Sequence, residues 1–128
     1  MNTEPKTAAV EKVEARLRRF CLGLDGAEEV VRWGHPNFRA GGKIFAVFER
    51  YKGEWAICFK AEPAHQQFLI DADPRFYASP YVGNQGWVSM KIEPRVDWRQ
   101  TEGFIRGSYR LVTASPKRRP AARRPKRG

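Results

Sequence analysis

The chain has little of what most catalytic or membrane proteins display. Two cysteines, Cys21 and Cys58, stand far apart in 128 residues and in neither a Cys-x-x-Cys nor a Cys/His ligand pattern. A disulfide framework or a thiolate metal site is therefore not expected, and both read as small buried hydrophobes. No apolar run approaches the roughly 18 residues that cross a bilayer. The polar stretch 1–7 has no apolar signal-peptide core, so a cytoplasmic location is expected. The two histidines, His35 and His65, fall in no H-E-x-x-H pattern. Serines 79, 89, 108 and 115 have no G-x-S-x-G context. Glu28 and Glu29 are adjacent, so on a strand they point to opposite faces and make a poor acid/base dyad. Gly41-Gly42-Lys43 is too short for a phosphate loop and precedes a strand rather than a helix. The expectation is a chain with no enzymatic activity, no cofactor and no metal.

Positive charge is present in excess. The formal net charge is +10, and 113–128 hold Lys117, Arg118, Arg119, Arg123, Arg124, Lys126 and Arg127 with no acid. That leaves 17 basic and 14 acidic residues in 1–112, so most of the basicity belongs to the tail. With Pro116, Pro120 and Pro125 and no aromatic residue, this tail cannot bury enough surface to offset its ordering entropy and is expected to be disordered. At about 3.3 Å per residue it reaches roughly 50 Å when extended. Seven cations on such an arm suit a polyanion, with salt-sensitive binding. The alternative is a solubilising tail with no specific partner. The Arg-Gly-Arg-Pro core of an AT-hook is absent, so minor-groove sequence reading is not supported.

The rest, 8–112, reads as one domain, with 1–7 a disordered N-terminus. A hydrophobic content of 41% with 12% aromatics can fill a core. Val10, Val13, Leu17, Phe20, Cys21 and Leu24 recur at helical spacing and predict a helix over 7–22, with Thr7 as N-cap and Gly23 as stop. The charged residues Lys12, Glu14, Arg16, Arg18 and Arg19 fall mostly off that stripe, on a solvated face. A strand over 28–33 follows, broken by Gly34-His35-Pro36 and resumed over 37–40. Gly41-Gly42 is a two-residue hairpin signal. Strands over 43–50 and 54–60 are joined by the turn Tyr51-Lys52-Gly53.

Alternation assigns Trp55, Ile57 and Phe59 to the core, and Ala56, Cys58 and Lys60 to a half-covered face. Lys43, Phe45 and Val47 are expected to alternate against Ile44, Ala46 and Phe48. Pro63 opens a short helix to about Ile70. Phe76, Tyr77, Pro80 and Tyr81 read as an aromatic loop, and 82–86 as a turn before a strand over 87–92. A last helix starts at Asp97, with Gln100 completing a capping box, and ends before Pro116. Its face carries Trp98, Thr101, Ile105, Ser108, Tyr109 and Val112. Gly103 and Gly107 are expected to permit close packing against the sheet.

Several joints then resemble one family. They are Trp33-Gly34-His35-Pro36 with Phe38, Gly42-Lys43-Ile44-Phe45-Ala46, and Phe59-Lys60 ahead of a Pro-led helix. Pro80-Tyr81-Val82-Gly83 leading to Gly86-Trp87-Val88, and Ser108-Tyr109 with Leu111-Val112, complete the set. In this order they resemble the MmcQ/YjbR family of small bacterial proteins, over roughly 10–117. The resemblance implies an α/β (α+β) fold similar to the cyaY-like arrangement: a single domain with a curved antiparallel sheet flanked by N- and C-terminal helices. It also implies a double-wing DNA-binding surface. Asn84 departs from a lysine that family members often carry in the loop before the tryptophan, which removes one phosphate contact.

Two functions follow as expectations. The first is non-specific or weakly specific binding of DNA by the tail together with Arg39 and Lys43, which flank the Gly-Gly turn, and Arg50 and Lys52, which flank the next one. The other reading of these four is ordinary surface charge. The second is a small-molecule or protein-interaction module built on a cleft of Phe76, Tyr77 and Tyr81 near Trp87; the other reading of these rings is that they are core. No membrane or metal partner is expected, and no protein partner is identifiable.

Overall fold

A computed structural model describes residues 6–114. The tail cations Lys117, Arg118, Arg119, Arg123, Arg124, Lys126 and Arg127 lie outside the described residues. The elements are α1 (Ala8–Leu22), β1 (Glu28–Arg32), β2 (His35–Ala40), β3 (Lys43–Tyr51), β4 (Glu54–Lys60), α2 (Pro63–Ala72), β5 (Phe76–Ala78), a 3-10 turn (Gly83–Gln85), β6 (Trp87–Lys91) and α3 (Trp98–Thr113). The six strands form one antiparallel sheet in the order β1-β2-β3-β4-β6-β5. The sheet is curved and not closed. The fold is a single α+β domain of three helices and this sheet, as the sequence indicates.

Cross-strand partners share a face, so the register sorts the sheet into two sides. Phe38, Ala46, Phe59 and Val88 form one row and Phe48, Ile57, Met90 and Phe76 the next. These residues are buried under the helices together with Val10, Leu17 and Cys21 of α1, Leu69 of α2 and Ile105 and Val112 of α3. The stripe read on α1 is the one that packs. Thr7 caps α1 by accepting from the Val10 N–H, and Asp97 caps α3 by accepting from the Gln100 N–H.

Several expectations change. The β1–β2 turn is Trp33-Gly34, both at positive φ, so His35 and Pro36 belong to β2 and the chain makes a tight hairpin rather than a corner. A β-bulge opposite Phe38/Arg39 inserts an extra residue in β3. Strict alternation fails there, and Phe45, Ala46 and Phe48 are all buried while Ile44 and Val47 are only half-buried. Gly103 and Gly107 do not press on the sheet, because a Cβ on either meets nothing within 4 Å. Ala56 and Cys58 are buried rather than half-covered. Tyr51 and Tyr77 explain this: β3 and β5 are separated by two strands, roughly 14 Å in a flat sheet, yet their rings stack 6.4 Å apart. The face away from the helices is therefore concave, and the small residues at its floor are covered by the rings at its sides.

That floor is polar and self-satisfied. The Ser89 and Ser79 hydroxyls are 2.8 Å apart, and the Cys58 thiol lies 3.2 Å from Ser89 Oγ and 3.5 Å from Glu49 Oε2. Burial first, and then the neighbouring Glu49 charge, push the Cys58 thiol far up, and burial does the same to Cys21.

Two ties hold the helices. The arginines of α1 are not simply solvated: Arg18 donates from Nε to Glu29 Oε1 at 2.8 Å and from Nη2 to Glu14 Oε2 at 2.9 Å, clamping α1 to β1. Burial works to raise the Glu14 carboxyl, but hydrogen bonds from Lys6 and Arg18 outweigh it and hold it below its ordinary value. Lys6 and Thr7 thus belong to the folded body. The second tie is Ser108. Its hydroxyl donates to the Phe45 carbonyl at 2.7 Å and accepts from the Lys60 N–H at 2.9 Å, joining α3 to the bulge and to the end of β4.

Ser108→Ala leaves both of those backbone groups without their partner and is expected to cost about 2–4 kcal/mol, read by chemical denaturation. Glu14→Gln removes a carboxylate whose depressed pKa contributes stability above its ordinary pKa and loses it as the pH falls. The variant is expected to be less stable than the parent at neutral pH, by a gap that narrows as the pH falls through and below the ordinary carboxylate range. Neither thiol is expected to react with a disulfide reagent at pH 8 in the native protein, and both react once guanidinium unfolds it.

Candidate nucleic-acid interface

The concave face ends, beside the Gly41-Gly42 turn, in a cleft of about 470 Å³. Val30, Asn37, Ile44 and Val47 form its floor, and Val82 and Trp87 its wall toward β6. Arg32, Arg39, Lys43 and Lys60 stand around it, and no acidic residue lines it. The register explains the convergence. Arg39 pairs with Ile44 and Lys60 with Trp87, so two cations from β2 and β4 share this face, while Lys43, paired with Ala40 on the other face, lines the cleft from beside the Gly41-Gly42 turn. Arg32 enters from β1, two residues beyond Val30 on the same face.

The charges are not equivalent. Arg39 Nε lies 2.7 Å from Glu28 Oε2 across β1–β2, so part of its charge is already matched. Arg32 and Lys43 are exposed, Lys60 is half-buried, and among the described residues none of the three is in an ion pair. Asn37 is buried and donates from Nδ2 to the His35 carbonyl at 3.0 Å, which holds the floor. Trp87 is half-buried and presents one ring to the cleft. The arrangement can hold an anion against several cations with an aromatic surface beside it. The Cys58 thiol, under the Val47 side of its floor, is buried with its pKa pushed far up by that burial.

The four cations read from the sequence do not form one patch. Arg39 and Lys43 line this cleft. Arg50 and Lys52 belong to the β3–β4 hairpin at the opposite end of β3, roughly 27 Å away along a nine-residue strand. There Arg50 Cζ lies 6.0 Å from the Trp55 ring and Lys52 Nζ 5.4 Å from the Tyr51 ring. That hairpin tip and the β1–β2 tip lie at the same end of the sheet, because each joins an odd strand to the next even one. Trp33 at the second tip is 90% exposed. Arg32 and Lys60 were not singled out by the sequence, although alternation already placed Lys60 beyond Cys58 on the same face, and Trp87 was named only beside the aromatic cleft.

The aromatic cleft expected from Phe76, Tyr77 and Tyr81 near Trp87 is dispersed. Phe76 is core, Tyr77 stacks on Tyr51 and Tyr81 is 98% exposed. Asn84 is exposed on the 3-10 turn beside Trp87. His35 sits edge-on to Trp55, with 6.3 Å between ring centroids. Among the described residues no three His, Cys, Asp or Glu side chains are grouped to hold a metal ion. Nor, among them, is any helix long and apolar enough to cross a membrane.

The family profile described as YjbR matches residues 22–111. The crystal structure of Deinococcus radiodurans protein DR2400, of the DUF419 family, is similar with a TM-score of 0.69 at 21% identity, covering 78% of each chain. That of a DUF1801-family protein from Bacillus subtilis, YdhG, is similar with a TM-score of 0.57 at 18% identity, covering 90% of this chain and 86% of the other. At these identities both likenesses concern the fold alone. None of the curated proteins compared matches the chain.

Proposed function

The chain belongs to the YjbR family, and from that premise we propose that it is a non-enzymatic DNA-binding protein that holds the phosphate backbone in the basic cleft of its concave face. The observation that carries this reading is the meeting of Arg32, Arg39, Lys43 and Lys60 around Trp87 with no acid lining the same cleft. Phosphate contacts of this kind position a protein on nucleic acid without reading sequence, so binding is weakly specific. A concave surface lined by one sign of charge also concentrates an anion more than the same charges would on a flat surface. The seven tail cations add counterion release along the same backbone. The pair Arg50 and Lys52, at the second of the two hairpins read as wings, is the competing surface to the Arg39/Lys43 hairpin that borders the cleft.

Binding of the full chain to duplex DNA across a salt series separates these contributions. Arg32→Gln/Arg39→Gln/Lys43→Gln in the full chain is expected to lower the slope of log K against log salt by about 2–3, one for each lost phosphate contact. Arg50→Gln/Lys52→Gln is expected to leave it nearly unchanged. Removal of 115–128 weakens binding at every salt concentration but leaves low-salt binding measurable. If the truncated chain does not bind at low salt, the cleft is not a site; if the Arg50/Lys52 pair carries the slope instead, the β3–β4 hairpin is.

A further inference from the structure

We propose that the groove between α2 and α3, on the helix side of the sheet, binds a small organic carboxylate with an apolar body. The groove encloses about 580 Å³, within the range of ligand sites, about 300–1,000 Å³. It exists because two residues of α3 have no side chain. Gly103 and Gly107 lie one turn apart on the wall of the groove, each costing about 1 kcal/mol of helix stability relative to alanine. Neither is required by packing, since a Cβ on either meets nothing within 4 Å. The bare backbone they leave lines the groove with open space beside it.

The remaining lining sets the chemistry. Phe104 forms an apolar wall held in place by three neighbours: it stacks on Phe59 at 4.8 Å, meets Phe76 edge-on at 5.7 Å and lies 5.9 Å from the His65 ring. Leu111 extends this surface toward the end of α3. Two cations, Lys60 and Arg110, border the groove, and among the described residues neither is in an ion pair. Glu62 is the one acid of the lining, and it is exposed. An apolar wall with two uncommitted cations fits a hydrophobic acid, with its body against Phe104 and the glycines and its carboxylate toward Lys60 and Arg110. The chain's own continuation past Ala114, which also lines the groove, brings seven more cations and no acid, so it does not complement these charges. Lys60 lies between this groove and the concave-face cleft, whereas Arg110 and Gly107 line this groove and not the other.

The test is a titration of the isotope-labelled full chain, read at the Gly103 and Gly107 amides by two-dimensional NMR. The probes are indole-3-acetate for an aromatic body and octanoate for an aliphatic one, with indole and octanol as uncharged counterparts. Saturable shifts at both glycines with at least one carboxylate, and binding of its uncharged counterpart about tenfold weaker or less, are expected. Arg110→Gln is expected to weaken the carboxylate by about tenfold. Gly107→Leu fills the groove and abolishes the shifts at Gly103, without lowering the melting temperature and without changing duplex-DNA binding. The proposal is overturned if neither carboxylate shifts these amides at about 5 mM, if the uncharged probes bind equally well, or if Gly107→Leu binds as the parent does. Because DNA binding is measured on the same variant, loss of one reading leaves the other standing.

Discussion

One hydroxyl holds the architecture in register. Ser108 satisfies two buried backbone groups that the sheet leaves over: the Phe45 carbonyl at the bulge and the Lys60 N–H at the end of β4. A bulge inserts a residue that its partner strand cannot pair. Here the leftover hydrogen bond is handed to a helix. Because that helix is fixed by a short polar contact rather than by apolar packing alone, its rotation is fixed as well. Thr101, Ile105, Ser108 and Val112 then face the sheet. The neighbouring stripe of Gly103, Phe104, Gly107 and Leu111 turns toward α2, where the groove opens. The same contact anchors the backbone of Lys60, whose side chain stands between the two cavities.

The second constraint is curvature. A sheet covered by helices on one side leaves its other side to solvent, and a flat one would expose Cys58, Ser89 and Ala56. Stacking of Tyr51 on Tyr77 across two intervening strands closes that face at one end. At the other end, beside Gly41-Gly42, nothing comparable among the described residues bridges it, and the basic cleft opens there. The closed end is thus filled by a hydrogen-bonded network of Ser79, Ser89, Cys58 and Glu49. The open end is where the cations gather. Stability and ligand access are separated along one face by the position of a single ring pair.

Much of this was legible in the sequence, and the failures have local causes. The α1 stripe, the Gly-Gly hairpin, the Pro63 helix start and the Asp97 cap follow from spacing and turn chemistry, and they hold. The bulge does not announce itself. An extra residue shifts the facing of everything beyond it, and nothing in Ile44-Phe45-Ala46-Val47 marks which residue is extra. Trp33 hid the first hairpin because a bulky residue at positive φ is rare. Three-residue β5 was lost among its aromatics. Arg18 and Glu29 lie eleven residues apart in different elements, so their ion pair needs the fold before it can be seen. The basic cleft was half legible: Arg39 and Lys43 flank a turn, but Arg32, Lys60 and Trp87 join them only through register.

The two cavities also differ in what maintains them. The cleft consists of long, mostly exposed cations on a rim, and surface charges contribute little to folding. They are free to change without cost to the domain, so a fold shared at 21% identity says nothing about whether a relative carries them. The groove is the reverse case. Its two glycines lower helix stability, and the fold offers each of them open space in which a larger side chain would fit. A position that costs stability and gains nothing in packing is one where the local sequence conflicts with the fold, and such conflicts are expected at functional sites. On that reasoning the glycine pair on α3 points to a site more strongly than the cations do, although the cations dominate the composition.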